Sequence, residues 1–218
     1  MELQGKKVNF LGDSITHGTG ASCNENCYVS VFGRISGAEV HNYGIGGTRI
    51  ARQKTPTEPV WDNGDFVMRA DGMDSDADVV VVFGGTNDYG HGDAPLGSFE
   101  SHDVYTFYGA LRTLCEKLIA KYPKAKIVFM TPTHRCAENK LINERGIRNV
   151  ATLSQYADII KEVTKYYSIP VLDLYAVSGM QPEVEILKQT YMPDGLHPND
   201  AGHEKIAKLL YSFLTALH

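Results

Sequence analysis

Residues 78 to 85 read DVVVVFGG, a run of apolar, β-branched residues that ends in two glycines. A continuous apolar run of this length is typical of a strand that is covered on both faces of a sheet. The runs KVNFLG at 7 to 12 and KIVFMTP at 126 to 132 have the same character, and EVHNYG at 39 to 44 and IPVLDLY at 169 to 175 are weaker examples. We therefore predict five buried parallel strands.

Helical periodicity fills the segments between these strands. Apolar residues recur at steps of three and four over 104–119, 150–167 and 206–217, and less clearly over 28–35. Strands that alternate with helices indicate a parallel sheet with helices on both faces. The sequence predicts one α/β domain over residues 1–218, with a doubly wound, five-stranded parallel sheet.

Charge and hydropathy exclude several classes of partner. The chain of 218 residues has a formal net charge of -5, with both signs mixed along its length, so we expect no nucleic-acid partner. No segment approaches the ~20 apolar residues of a membrane-spanning helix, and we expect no membrane insertion. No signal-peptide pattern opens the chain, so we expect a cytoplasmic protein, although removal of a signal peptide would leave the same sequence. A homo-oligomer is compatible with these features.

The four cysteines do not form the pattern of a disulfide scaffold. Cys23 and Cys27 have the spacing of half a zinc site, but no second ligand pair accompanies them, and we expect no metal. Whether these two thiols pair with each other stays open. Cys115 falls on the apolar face of a predicted helix and is read as a core residue.

Glycines and polar side chains follow the first three strands, at residues 12–14, 44–47 and 84–87. The carboxyl ends of parallel strands meet at one edge of a sheet, where ligands bind near the switch in strand order. Two long loops, over 48–76 and 86–103, leave the same edge, and loops of this length are usually functional or mobile. We expect the functional site there.

Ser14 has two interpretations at this edge. Serine is a favoured N-cap, and a strand that leads through a polar turn into a helix places one there without chemistry. The stretch also lacks the G-x-S-x-G spacing of the α/β-hydrolase elbow and the lysine of a P-loop. As a nucleophile, Ser14 would need a general base beside it and donors for an oxyanion.

The best candidate base is His197, which follows Asp194 in the loop MPDGLHPND. The spacing allows the carboxylate to fold back, fix the imidazole tautomer and stabilise the imidazolium. The alternative for Asp194 is a turn residue, since Asp-Gly is a common turn signal. His203 lies within a predicted helix and is read as structural or surface, whereas His17 and His91 are possible substrate contacts.

Three groups could donate to an oxyanion. Asn87 offers a side-chain amide, and Gly47 offers a backbone N–H with no side chain to block substrate. The N–H of Ser14, near the start of a helix, is the third.

These residues together resemble the SGNH hydrolases, also called GDSL-type esterases and lipases. The block GDSITHG matches their first motif, with Ser14 as nucleophile and oxyanion donor. NYGIGG matches their Asn-x-x-x-x-Gly element and gives Gly47 an oxyanion role, and GTND gives Asn87 the side-chain oxyanion role. DGLHP matches their Asp-x-x-His-Pro motif and assigns Asp194 and His197 to the catalytic triad.

The matching blocks occur in order between residues 12 and 198. Ile15 replaces the leucine of the family name, and Thr86 separates the glycine from Asn87. The resemblance implies a flavodoxin-like, three-layer α/β/α sandwich that hydrolyses a small-molecule carboxylic ester through an acyl-serine intermediate, with no metal or organic cofactor.

The substrate is less specified, because one fold and triad serve many esters. Candidate substrate-binding residues are Asp13, Arg49, Trp61 and His134, and Asp13 has the alternative of holding its turn by bonding nearby backbone. Polar loops with one tryptophan favour a short acyl group, such as acetyl, on a carbohydrate; ordinary solvated loops are the alternative. Lysophospholipase, thioesterase and acyltransferase activities, and non-catalytic binding of carbohydrate or of a flavin phosphate, stay open.

Overall fold

One parallel sheet of five strands, in the order β2-β1-β3-β4-β5, organises the protein. The computed structural model describes residues 1–55, 64–140, 142 and 150–217. The strands are β1 (Lys7–Gly12), β2 (Glu39–Gly44), β3 (Val79–Phe83), β4 (Lys126–Met130) and β5 (Val171–Leu172). The helices are α1 (Ser14–His17), α2 (Tyr28–Ser36), α3 (Phe66–Arg69), α4 (Thr86–His91), α5 (Phe107–Lys121), α6 (Leu153–Tyr166), α7 (Leu174–Val177), α8 (Glu185–Tyr191) and α9 (Asp200–Ala216), with short 3-10 helices at Asn24–Asn26 and Ala70–Gly72.

Both faces of the sheet are buried at β1, β3 and β4, as the continuous apolar runs predict, whereas the edge strand β2, predicted to be buried, is exposed or half-buried along its length. Successive side chains of β3 point to opposite faces, because a strand has a period of two. Val80 and Val82 pack into the core that contains α5 and α6, whereas Val79 and Val81 pack into the core that contains α2 and α9. The predicted three-layer α/β/α architecture and the doubly wound sheet are therefore confirmed.

Capping side chains decide where the long helices begin. Thr106, Thr152 and Asn199 each accept a hydrogen bond from the backbone N–H three residues further on. Thr152 also forms a reciprocal capping box with Gln155. Consequently Val150, which was predicted on the apolar face of α6, lies before that helix and is exposed.

Further predicted boundaries are wrong. The segment 48–76, predicted as a loop, contains α3, and the helix predicted over 104–119 begins at Phe107. The fifth strand was predicted over 169–175 but ends at Leu172, because the side chain of Asp173 accepts from the N–H of Ala176 and begins α7. The segment 86–103 was predicted as a loop but starts with α4, a short polar helix whose sequence TNDYGH lacks apolar periodicity. Among the described residues, no helix is long and apolar enough to cross a membrane.

The strand order switches at β1, because β2 is added on one side of it and β3, β4 and β5 are added on the other. At the carboxyl end of β1, Gly12 pairs with Gly44 on one side and with Phe83 on the other. Helix α1 packs directly on this end, so a Cβ on Gly44 would lie 2.2 Å from the backbone nitrogen of His17. Only glycine allows this approach, which sets the position of α1.

We expect Gly44→Ala to lower the free energy of unfolding by about 1–3 kcal/mol, because the new methyl group must displace backbone. Gly72→Ala is the control, since a Cβ at that position has no atom within 4 Å. Denaturant titration of both variants measures the difference. Equal stabilities for the two variants would contradict the close approach.

Candidate active site

Ser14 is the first residue of α1 and follows β1 after a single turn residue, Asp13. The N-cap of the helix is Asp13, whose carboxylate accepts from the N–H of Ile15 at 3.0 Å. The interpretation of Ser14 as the cap is therefore wrong, and its hydroxyl is available for another contact. The N–H of Ser14 belongs to the first turn, where backbone donors have no partner within the helix.

Ser14, His197 and Asp194 form a continuous hydrogen-bonded chain. The Ser14 Oγ lies 3.1 Å from Nε2 of His197, and Nδ1 of the same ring lies 2.7 Å from Oδ2 of Asp194. The other carboxylate oxygen of Asp194 accepts from the N–H groups of Leu196 and His197, at 2.8 and 2.7 Å. The loop DGLHP thus holds its own carboxylate against the imidazole, as the spacing predicts.

Hydrogen bonds keep the Asp194 carboxylate charged. Partial burial acts to raise its pKa, but the bonds from the ring and N–H of His197 and from the N–H of Leu196 lower the pKa on balance. An anion beside Nδ1 favours a proton on that nitrogen and leaves Nε2 as the acceptor for the Ser14 proton. The arrangement can therefore activate a serine oxygen for attack on a carbonyl carbon.

The two remaining donor candidates lie on α4 and on the loop after β2, which are bonded to each other. The side-chain amide of Asn87, in the first turn of α4, donates to the carbonyl oxygen of Thr48 at 3.0 Å. Thr48 directly follows Gly47, whose φ of 76° is a left-handed conformation that favours glycine. Within the part of the chain that the structure describes, the N–H of Gly47 donates to no acceptor.

Asp88 anchors the loop that carries Gly47, a role that the sequence analysis did not assign. Its buried carboxylate accepts from the N–H of Ile50 at 3.0 Å and of Ala51 at 2.9 Å. Burial raises its pKa to about 6, although both backbone bonds favour the anion. Its position beside Asn87 in GTND could have indicated this role, but its partners Ile50 and Ala51 lie 38 and 37 residues away in the sequence.

Arg69 also supports this loop and was missed. Its guanidinium donates to the carbonyl oxygens of Gly12 and Tyr43 and to the hydroxyl of Thr48. Burial lowers its pKa to about 10. The side chain therefore joins the ends of β1 and β2 to the loop that follows β2.

The predicted substrate-binding residues lie in different environments. Asp13 is 2% exposed and Arg49 is 1% exposed, so both lie beneath the surface of the site. His134 is partly exposed, lies 2.9 Å from a carboxylate oxygen of Glu138 and contacts the ring of Tyr175. Trp61 lies outside the described residues. The burial of Asp13 and Arg49 favours supporting roles, and substrate contact by the four residues stays a prediction.

The other histidines and cysteines are placed as follows. His203 is buried, accepts from the N–H of Tyr28 and donates to the carbonyl of Thr19, which confirms a structural residue. His17 is exposed. Cys23 and Cys27 are free thiols, and no described group of three His, Cys, Asp or Glu residues could hold a metal ion.

The chain matches one protein family in sequence and several solved structures in fold. The sequence model of the GDSL-like Lipase/Acylhydrolase family matches residues 10–205. One solved structure is 38% identical over 100% of this chain and 99% of that chain, with a TM-score of 0.86. A protein from Lactobacillus plantarum is 32% identical over 99% of both chains, with a TM-score of 0.82.

A more distant solved structure is described as a carbohydrate acetylesterase family member from Sinorhizobium meliloti. It is 17% identical, covers 96% of this chain and 97% of that chain, and has a TM-score of 0.64. This likeness shows the fold alone. Comparison with curated proteins finds no match.

The burial of Asp13 predicts a specific dependence of stability on pH. Burial raises the pKa of this carboxyl from 3.8 to about 7, against the hydrogen bond from Ile15. Between those values the folded state retains a proton that the unfolded state has lost, so the contribution of Asp13 to stability decreases as pH rises. In Asp13→Asn, which keeps the capping oxygen, this component is absent, and the variant gains stability relative to the wild type by a few kcal/mol across that range.

Denaturant unfolding of both proteins from about pH 4 to pH 8 measures this difference. Asp158→Asn, at an exposed side chain, is the control and follows the wild type. A wild-type pH dependence that persists unchanged in Asp13→Asn would contradict a buried, proton-retaining carboxyl.

Proposed function

We propose, for a chain that belongs to the GDSL-like lipase/acylhydrolase family and is a carboxylic ester hydrolase, that Ser14, His197 and Asp194 hydrolyse the ester through an acyl-serine intermediate. The observation that carries the proposal is the unbroken path from the Ser14 hydroxyl through the imidazole to the carboxylate, with steps of 3.1 and 2.7 Å. A capping serine would need neither partner.

In the first half of the reaction, Ser14 Oγ attacks the ester carbonyl carbon while its proton moves to Nε2 of His197. The imidazolium is stabilised by Asp194 and then gives the proton to the leaving alcohol oxygen. In the second half, a water molecule loses a proton to the same nitrogen and attacks the acyl carbon, and the proton returns to Ser14. One C–O bond breaks in each half, and only the complete cycle returns Ser14, His197 and Asp194 to their starting protonation states.

The carbonyl oxygen becomes negatively charged in both halves and needs donors fixed in advance. We assign this role to the N–H groups of Ser14 and Gly47 and to the side-chain amide of Asn87. Support comes from the first-turn position of Ser14 and from the direct bond between Asn87 and Thr48, which ties two of the donors together.

We propose a short acyl group on a polar carrier, such as an acetylated carbohydrate, as the substrate. The solved structure from Sinorhizobium meliloti, whose description names a carbohydrate acetylesterase family member, supports this choice by fold. Partly exposed polar side chains after the strands, including His91, Asp93 and His134, support it by chemistry, because hydroxyl-rich carriers bind through hydrogen bonds. The partner is then a small molecule rather than a nucleic acid or a membrane.

We expect Ser14→Ala to lose turnover of p-nitrophenyl acetate by orders of magnitude while it keeps the wild-type unfolding transition. The wild-type rate should fall steeply from acetate through palmitate. Ser212→Ala, at an exposed position of α9, is the matched control and should keep full activity. Equal turnover by the wild type and Ser14→Ala would exclude the serine nucleophile.

We expect Asn87→Ala to lower kcat by about a hundredfold or more, with a smaller change in KM, since an oxyanion donor acts mainly in the transition state. Steady-state kinetics on the acetate ester measure both constants. A rise in KM at unchanged kcat would instead assign Asn87 to ground-state binding of the substrate.

A further inference from the structure

The carbonyl group of the Asn87 side chain has a partner of its own. Its Oδ1 lies 3.1 Å from Nε2 of His91, which is four residues later on α4. Residues at this spacing lie on the same face of a helix, one turn apart. From the sequence, His91 is predicted only as a possible substrate contact, and the chemical steps proposed above do not use it.

Arg49 contacts the other nitrogen of the same ring. Its guanidinium bonds to Nδ1 of His91, and the same nitrogen of Arg49 donates to the backbone oxygen of His91 at 3.2 Å. A guanidinium has donors and no acceptor, so Nδ1 must offer a lone pair. The neutral ring then carries its proton on Nε2 and donates it to Oδ1 of Asn87.

These contacts determine how the Asn87 amide faces the site. Oδ1 accepts from His91, and one N–H of the amide donates to the Thr48 carbonyl at 3.0 Å. A flipped amide would place its oxygen against the Thr48 oxygen and its NH2 against the His91 N–H, and would lose both bonds. In the observed orientation, the second N–H of the Asn87 amide bonds to neither Thr48 nor His91 and is available to donate to an oxyanion.

The surroundings strengthen this chain of donors. Asn87 is 4% exposed and Arg49 is 1% exposed, while the ring of His91 between them is partly exposed, so the bonds lie in a partly buried network in which hydrogen bonds polarise one another. A proton donated to Oδ1 withdraws electron density from the amide and makes its N–H a stronger donor. The positive charge of Arg49, on the other side of the His91 ring, polarises these hydrogen bonds in the same direction.

On the premise that Asn87 is an oxyanion donor, as proposed above, we infer that His91 and Arg49 are positioning residues for that amide. His91 fixes the orientation of Asn87 and polarises it, and Arg49 fixes the tautomer of His91. Neither residue touches the reacting atoms, and no proton is transferred along the chain. This role accounts for the burial of Arg49, which is unlike the exposure expected of a residue that contacts substrate.

Two substitutions separate the ring nitrogens of His91. The amide nitrogen of a glutamine reaches the position of Nε2, so His91→Gln keeps a donor for Asn87. The amide oxygen of an asparagine reaches the position of Nδ1, so His91→Asn keeps an acceptor for Arg49 and lacks the donor. We expect His91→Asn to lower kcat about tenfold at a nearly constant KM, and His91→Gln to keep most of the wild-type kcat.

The opposite order, in which asparagine rescues kcat and glutamine does not, would overturn the inference, because the ring would then matter only as a partner of Arg49. Unchanged kcat in both variants would overturn it as well. A second comparison uses Asn87→Ala as the background. There His91→Asn should cause no further loss of kcat, whereas a full additional tenfold loss would show that His91 acts independently of Asn87.

A measurement without turnover distinguishes this inference from the proposed function. Nitrogen-15 NMR of the imidazoles reports which ring nitrogen carries the proton, and we expect the Nε2–H tautomer for His91 in the wild type. An Nδ1–H tautomer or an imidazolium at neutral pH would overturn the inference even in an active enzyme. Absence of Ser14-dependent turnover on every ester would overturn the proposed function, while the Nε2–H tautomer would still support the donor chain from Arg49 to Asn87.

Discussion

The backbone contact between the end of β2 and α1 is the constraint on which the site depends. Gly44 lies so close to His17 that no side chain fits between them, and the amide of Asn42 donates to the carbonyl of Thr16 at 2.7 Å. Together these contacts hold α1 at the carboxyl end of β1, so that Ser14 begins the helix at the switch in strand order. The position of Ser14 in turn determines where His197 must lie in order to reach the serine hydroxyl.

Buried ionisable groups complete the framework at a cost in stability. Asp13, Asp88 and Arg69 each lie in an environment that disfavours the charged form, as the shifts of their pKa values show. Each of them nevertheless bonds to backbone groups of the turns that carry Ser14 and Gly47. These bonds hold the turns that carry the proposed oxyanion donors, and a stability cost of this kind is common at functional sites.

The features that the sequence predicts well are those encoded locally. The apolar run of β3 is sufficient to predict a strand covered on both faces, and the spacing of Asp194 and His197 within one loop is sufficient to predict their contact. The position of Ser14 directly after a strand also places it at the correct edge of the sheet.

The features that the sequence does not predict depend on contacts between distant segments or on single caps. The bond of Asp13 to nearby backbone was predicted as one alternative, but not that it, rather than Ser14, caps α1; nor was it predicted that Asp173 begins α7 and ends β5 early. The hydrogen bonds from Arg49 through His91 to Asn87 join the loop after β2 to α4, between residues 38 or more positions apart, as does the bond from Ile50 to Asp88. No periodicity in the sequence records such contacts.

The central claim is that Ser14 carries the acyl group between the two halves of the reaction. The direct test is mass spectrometry of the protein quenched during turnover of p-nitrophenyl acetate, with peptide mapping of the modified residue. The account predicts one acetyl group per chain on Ser14, and none on that peptide in Ser14→Ala. Rapid turnover with no acyl group on Ser14 at any quench time, or with the acyl group on another residue that is lost and regained at the rate of turnover, would contradict it.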